Sequence, residues 1–90
     1  MLTPIRRKPF NKDCALLTRR HYDMALLDDI VNKLFMEEPL PPQARPHWLS
    51  GNWAGYMECH VKGDWVIIYM PNPEEGTITF YRTGTHSDLF

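Results

Sequence analysis

Asp64-Trp65-Val66-Ile67-Ile68-Tyr69-Met70 is apolar at every position after its first residue. A strand with one wet face alternates polar and apolar side chains, whereas one without a polar face must be covered on both sides. The run is far too short for a membrane span, which needs about 20 residues. It is rich in β-branched and aromatic residues and predicts a central strand. On its N-terminal side Lys62-Gly63 reads as a turn. Before that turn Tyr56, Glu58 and His60 alternate with Met57, Cys59 and Val61, which predicts a second strand with Glu58 and His60 on one face. On its C-terminal side Pro71 to Gly76 turns the chain into a third strand, Thr77 to Thr83, with Arg82 near its end and a break at Gly84. The three runs form an antiparallel meander.

Further out, Leu2 to Ile5 reads as a short strand that Pro4 confines to a sheet edge. From Pro9 the period becomes helical, with Phe10, Cys14 and Leu17 on one face and Lys12 and Arg19 nearly opposite. Those two cations read as a solvated face or as a row of phosphate contacts. Asp23 is a good N-cap for a second helix, whose stripe is Met24, Leu27, Ile30, Val31, Leu34 and Phe35. Pro39 requires that helix to end by Glu38. Pro39, Pro41, Pro42 and Pro46 then make a stiff connection that sets His47 and Trp48 at a defined point. The expected architecture is α+β: an N-terminal two-helix hairpin packed on a mainly antiparallel three- to four-stranded sheet, as a single domain over residues 1–90.

The chain has 90 residues, 43% of them apolar and 23% charged, a balance that argues for a folded globule and against disorder. Cys14 and Cys59 lie far apart, in no metal or redox spacing, and read as reduced thiols in the core. The basic N-terminus has no following apolar stretch, so the expected location is the cytoplasm, away from membranes. The net charge is −1, yet residues 1–50 carry eight Lys/Arg against six Asp/Glu (+2) and residues 51–90 carry two against five (−3). Any electrostatic footprint for a nucleic acid must come mainly from the first half.

The end of the chain carries the chemistry. Phe80 to Phe90 sets out a guanidinium (Arg82), a titratable imidazole (His86) and a terminal aromatic ring (Phe90) within a few residues. In a meander the Lys62-Gly63 turn and the end of the third strand lie at the same end of the sheet. His60, Asp64, Arg82 and His86 therefore converge, and His47 can join them from the proline-stiffened loop. Cleaving RNA without metal needs a base for a 2′-hydroxyl proton, an acid for the leaving 5′-oxygen and a cation for the phosphorane. Histidine serves as either acid or base, arginine as the permanent cation, and aspartate orients a histidine or raises its pKa. Trp65 and Phe90 offer rings on which bases stack. The same histidines with Asp64 or Cys59 also read as zinc ligands, although no pair has the usual ligand spacing.

Gly51-Asn52-Trp53-Ala54-Gly55-Tyr56, Glu58-Cys59-His60, Asp64-Trp65, Ile68-Tyr69 and Arg82-Thr83-Gly84-Thr85-His86-Ser87-Asp88-Leu89-Phe90 together resemble the YafQ-like branch of the RelE/ParE toxin superfamily. The resemblance implies a RelE-like fold and a ribosome-dependent mRNA endonuclease that cuts without metal or other cofactor and is held inactive by a cognate antitoxin. It places the active site on His47, His60, Asp64, Trp65, Arg82, His86 and Phe90. The expected partners are the antitoxin, the ribosome and mRNA. A different expectation is a non-enzymatic binder on the same fold that inhibits a protein target such as a topoisomerase, a branch that has no need of the three histidines together.

Overall fold

The computed structural model describes residues 1–90. Strand β4, Trp65–Asn72, has Trp65 to Tyr69 buried and lies in the middle of a five-stranded sheet, as its lack of a polar face requires. Strand β3, Met57–Lys62, and strand β5, Thr77–Thr85, flank it antiparallel. Two short strands complete the sheet: β1, Thr3–Arg6, beside β5, and β2, His47–Trp48, beside β3, giving the order β1-β5-β4-β3-β2.

This corrects the expected sheet in two ways. It has five strands, because the stiff loop pairs His47 with Glu58 and Trp48 with Met57 as an extra edge. It is also mixed, since β1 runs parallel to β5 with Thr3 opposite Thr77 and Arg6 opposite Phe80. A tight hairpin between neighbours in sequence can only be antiparallel, so a parallel pairing across the whole chain leaves no local signal.

Helix α1, Lys8–Arg19, has a proline in its first turn, and helix α2, Met24–Met36, is capped by the Asp23 carboxylate accepting from the Ala25 N–H. Each helix packs on the sheet more than on its partner. Phe10 and Leu17 of α1 and Leu27, Ile30 and Val31 of α2 join Cys59, Trp65, Ile67, Tyr69, Ile78 and Phe80 in one core. Cys59 is fully buried, which pushes its thiol up to about 12, and Cys14 packs against the same core, so both are unpaired structural thiols. By alternation Glu58, His60, Val66, Ile68 and Arg82 lie on the opposite face of the sheet, where Val66 and Ile68 are also fully covered. No helix is long and apolar enough to cross a membrane.

The third strand does not break at Gly84. It runs to Thr85 and passes into a one-turn helix, α3, His86–Leu89. Thr85 and Asp88 close a reciprocal capping box around that turn. Gly84 suits this close approach: a Cβ there would stand 3.2 Å from the Asp88 side chain, which would have to shift by a few tenths of an ångström.

Phe80 is fully buried against Phe10, at a ring-centroid distance of 5.6 Å. Phe80→Ala should lower the unfolding free energy by about 3–5 kcal/mol, read in urea titration as a lower midpoint with an unchanged slope.

Candidate active site

The hairpin from β3 to β4 and the passage from β5 into α3 meet at one end of the sheet, and there the histidines converge. His86 opens α3, and its position is fixed twice by Asp64, which accepts from the His86 backbone N–H at 3.2 Å and from ring Nδ1. The other ring nitrogen, Nε2, lies 3.1 Å from Glu58 Oε1. The same oxygen is 3.3 Å from His47 Nε2, so one carboxylate oxygen is shared by two imidazoles. Glu58 is only 2% exposed and its second oxygen has no hydrogen-bond partner. A carboxylate so buried is tolerable only with compensating positive charge, and its neighbours are titratable imidazoles.

Backbone carbonyls set the other two histidines. His60 Nδ1 is 2.9 Å from the Gly63 oxygen, and His47 Nδ1 is 2.9 Å from the Arg45 oxygen. A carbonyl only accepts, so Nδ1 must carry the proton in both rings. Neutral His60 therefore keeps its lone pair on Nε2. The His60 ring stands between His47, at 6.5 Å, and His86, at 5.9 Å between centroids. Both carbonyls are offered from left-handed backbone: Gly63 at φ +54 and Arg45 at φ +41, the latter a conformation non-glycine residues seldom adopt.

Two carboxylates on one ring hold the His86 proton. Its pKa is raised, first by the hydrogen bond to Asp64 and then by that to Glu58, while the Asp64 carboxyl is lowered chiefly by the same bond to His86. Both carboxylates thus favour the charged form of the ring. Phe90 follows with its ring 5.5 Å from that of His86 and remains 60% exposed, open to a stacking partner.

Arg82 and Trp65 depart from the sequence reading. Arg82 lies in register with Ile68 and, beyond it, Glu58, two strand spacings or about 10 Å across the sheet. Its guanidinium is not loose in the histidine cluster. It makes a two-pronged pair with Asp13 of α1, at 2.7 and 3.1 Å, which raises its pKa further, and Asp13 also accepts from the Thr83 N–H. Trp65 is 4% exposed, gives its indole N–H to Thr83 Oγ1 at 2.9 Å and meets Tyr22 edge-on. It is a core anchor, which corrects the expectation of a base-stacking platform. Lys12 and Arg19 stay exposed along α1. As for zinc, Cys59 lies on the other face of the sheet, and no three His, Cys, Asp or Glu side chains are arranged to hold a metal ion.

Three acidic residues were missed. Glu58 had its only signal in the alternation that put it on the face of His60; its burial comes from tertiary packing. Asp13 shows nothing in its own stretch, since its partner is 69 residues away. Asp88, which holds Arg20 at 3.0 Å and caps α3, was readable from the spacing Thr85-x-x-Asp88.

Residues 2–90 match the family described as the bacterial toxin of a type II toxin–antitoxin system, YafQ. The mRNA interferase toxin YafQ of Escherichia coli K12 is 39% identical over 82 residues, 90% of this chain and 87% of that one. A metal-bound toxin from Helicobacter pylori superposes with a TM-score of 0.92 at 38% identity over all of both chains. The E. coli toxin in the DinJ–YafQ complex gives 0.89 at 35% identity, covering 100% of this chain and 99% of that one.

An NMR titration should place the His86 midpoint above the ordinary imidazole value of about 6.5, and Asp64→Asn or Glu58→Gln should each lower it. A folded-state pKa raised this way stabilises the fold fully below the unfolded value, and the contribution is lost as pH rises through the folded one. A midpoint that neither substitution moves would mean that the carboxylates do not hold the proton.

Proposed function

The chain belongs to the YafQ family of bacterial type II toxins, and from that premise we propose that it is an mRNA interferase that cuts translated mRNA on the ribosome by acid–base catalysis within this histidine cluster. The observation that carries the reading is the division of labour among the imidazoles: both ring nitrogens of His86 lie against carboxylate oxygens of Asp64 and Glu58, while His60 turns Nδ1 to the Gly63 carbonyl and leaves Nε2 for a lone pair.

His60 Nε2 takes the proton from the 2′-hydroxyl, and O2′ attacks phosphorus. As the P–O5′ bond breaks, His86 gives its Nε2 proton to the leaving 5′-oxygen, leaving a 2′,3′-cyclic phosphate and a 5′-hydroxyl. The two rings, 5.9 Å apart, can both touch oxygens of one phosphodiester. His47 shares Glu58 Oε1 with His86, so that oxygen keeps one imidazole partner while the proton leaves. Asp64 orients His86 and restores its proton affinity after each turnover. Arg82, fixed by Asp13 and permanently charged, supplies positive potential to the phosphorane, and Phe90 stacks on a neighbouring base. Lys12 and Arg19 form the exposed basic face of α1, suited to phosphate or to the acidic segment of a cognate antitoxin. The partner follows from the relative crystallised with DinJ.

His86→Gln should lower the cleavage rate about 10²–10⁴-fold, the usual worth of one proton transfer, with fold and antitoxin binding retained. Primer extension on an mRNA translated in a cell-free system reads this directly. Wild-type cuts within the reading frame should persist in EDTA. Growth arrest with intact mRNA would instead favour the non-enzymatic binder.

A further inference from the structure

The largest cavity of the molecule, about 570 Å³, opens on the outer side of His60, between the proline-stiffened loop and the turn from β3 to β4. Its charged lining is Arg45 and Lys62, with no carboxylate. The two other cavities both contain carboxylates: Asp23 and Asp64 in one, which Lys62 also borders, and Glu37 and Glu38 in the other. Neither Arg45 nor Lys62 forms an ion pair, although the chain is acidic overall. In residues 51–90 the other cation is Arg82, already committed to Asp13. Both side chains are exposed, so their charge is available to a ligand rather than to the fold.

We propose that Arg45 and Lys62 form a phosphate subsite, which takes a backbone phosphodiester of the RNA strand next to the one being cut. This rests on the nuclease reading above and extends it to how the strand is held. His60 belongs to both compartments: its ring lines the cavity and also stands within the cluster. The strand that presents its scissile phosphate to His60 and His86 therefore continues directly over the two cations. Arg45 suits a forked contact to phosphate oxygens, and Lys62 adds a point charge. The peptide carbonyls of Arg45 and Gly63 meanwhile hold the proton on Nδ1 of His47 and His60, so the loop and turn that grip the strand also set the histidine tautomers. Gln43, exposed on the same rim, offers an amide to a base edge.

The test uses a single-stranded oligonucleotide methylated at every 2′-oxygen, which binds but cannot be cut, followed by fluorescence anisotropy across a salt series. Each phosphate contact on a single strand contributes about 0.7 to the slope of log K against log salt. The double variant Arg45→Asn/Lys62→Ala should lower the slope by about 1.4; asparagine is chosen because it tolerates the left-handed backbone at position 45. A control replacing Arg6 and Lys33, which do not line the cavity, should leave it unchanged. In primer extension the double variant should raise KM with kcat unchanged. An unchanged slope, or no binding by wild type at low salt, overturns the subsite even if mRNA is cut. Weakened binding to mRNA-free ribosomes with oligonucleotide binding intact also overturns it, by assigning the phosphates to ribosomal RNA. A lowered slope with no mRNA cuts by wild type would keep Arg45 and Lys62 as phosphate contacts but overturn their place beside a scissile bond, together with the nuclease reading.

Discussion

A buried carboxylate with one oxygen unsatisfied is the constraint around which this molecule is arranged. Glu58 is the second residue of β3, and its neighbour across the sheet is the fully apolar Ile68 of β4. Water scarcely reaches it there, and the groups that meet its one satisfied oxygen are the imidazoles of His47 and His86. Three separate segments supply the surroundings: the edge strand brings His47, the helix after β5 brings His86, and the turn after β3 brings the Asp64 that anchors His86. Only the Glu58 end of this network is dry; His47, His86 and Asp64 reach from it toward solvent. The core and the chemistry are thus two faces of one sheet.

The anchoring is mostly backbone. His86 is held through its own N–H, Thr85 and Asp88 cap the turn on which it rides, and two carbonyls set the protons of His47 and His60. Each of these contacts ties a side chain to a backbone group whose position the sheet already fixes, which suits groups that must stay aligned while their charges change. Arg82 is held by a different logic. Its carboxylate partner partly offsets its charge but fixes the plane of the guanidinium.

Much of this was legible in the residues. The unbroken apolar run placed β4 at the centre, and alternation put Glu58 and His60 together. The topology of a meander brought Asp64 and His86 to the same end without any structural knowledge. What was not legible depends on long-range contacts. The pairing of Asp13 with Arg82 and that of β1 with β5 join segments about seventy residues apart, and nothing local encodes them. Trp65 was misjudged because an Asp-Trp pair looks the same whether the ring faces solvent or the core; only the packing of Tyr22 and Thr83 around it decides. The last turn was overlooked because four residues carry no helical period, although its cap was written in Thr85 and Asp88.

The parallel pairing of β1 bears on the order in which the molecule forms. Strands β2 to β5 are linked by short connections and gather quickly, whereas Thr3 meets Thr77 only after nearly the whole chain has been looped back. Closing that loop carries the larger entropy cost. The first strand is therefore expected to dock last, onto a sheet already made, with Leu2 sealing against the end of α2 through its N–H to the Phe35 oxygen. The edge of β5 that it covers stays open until then, a transient surface through which a newly made chain would be most exposed to pairing with another strand.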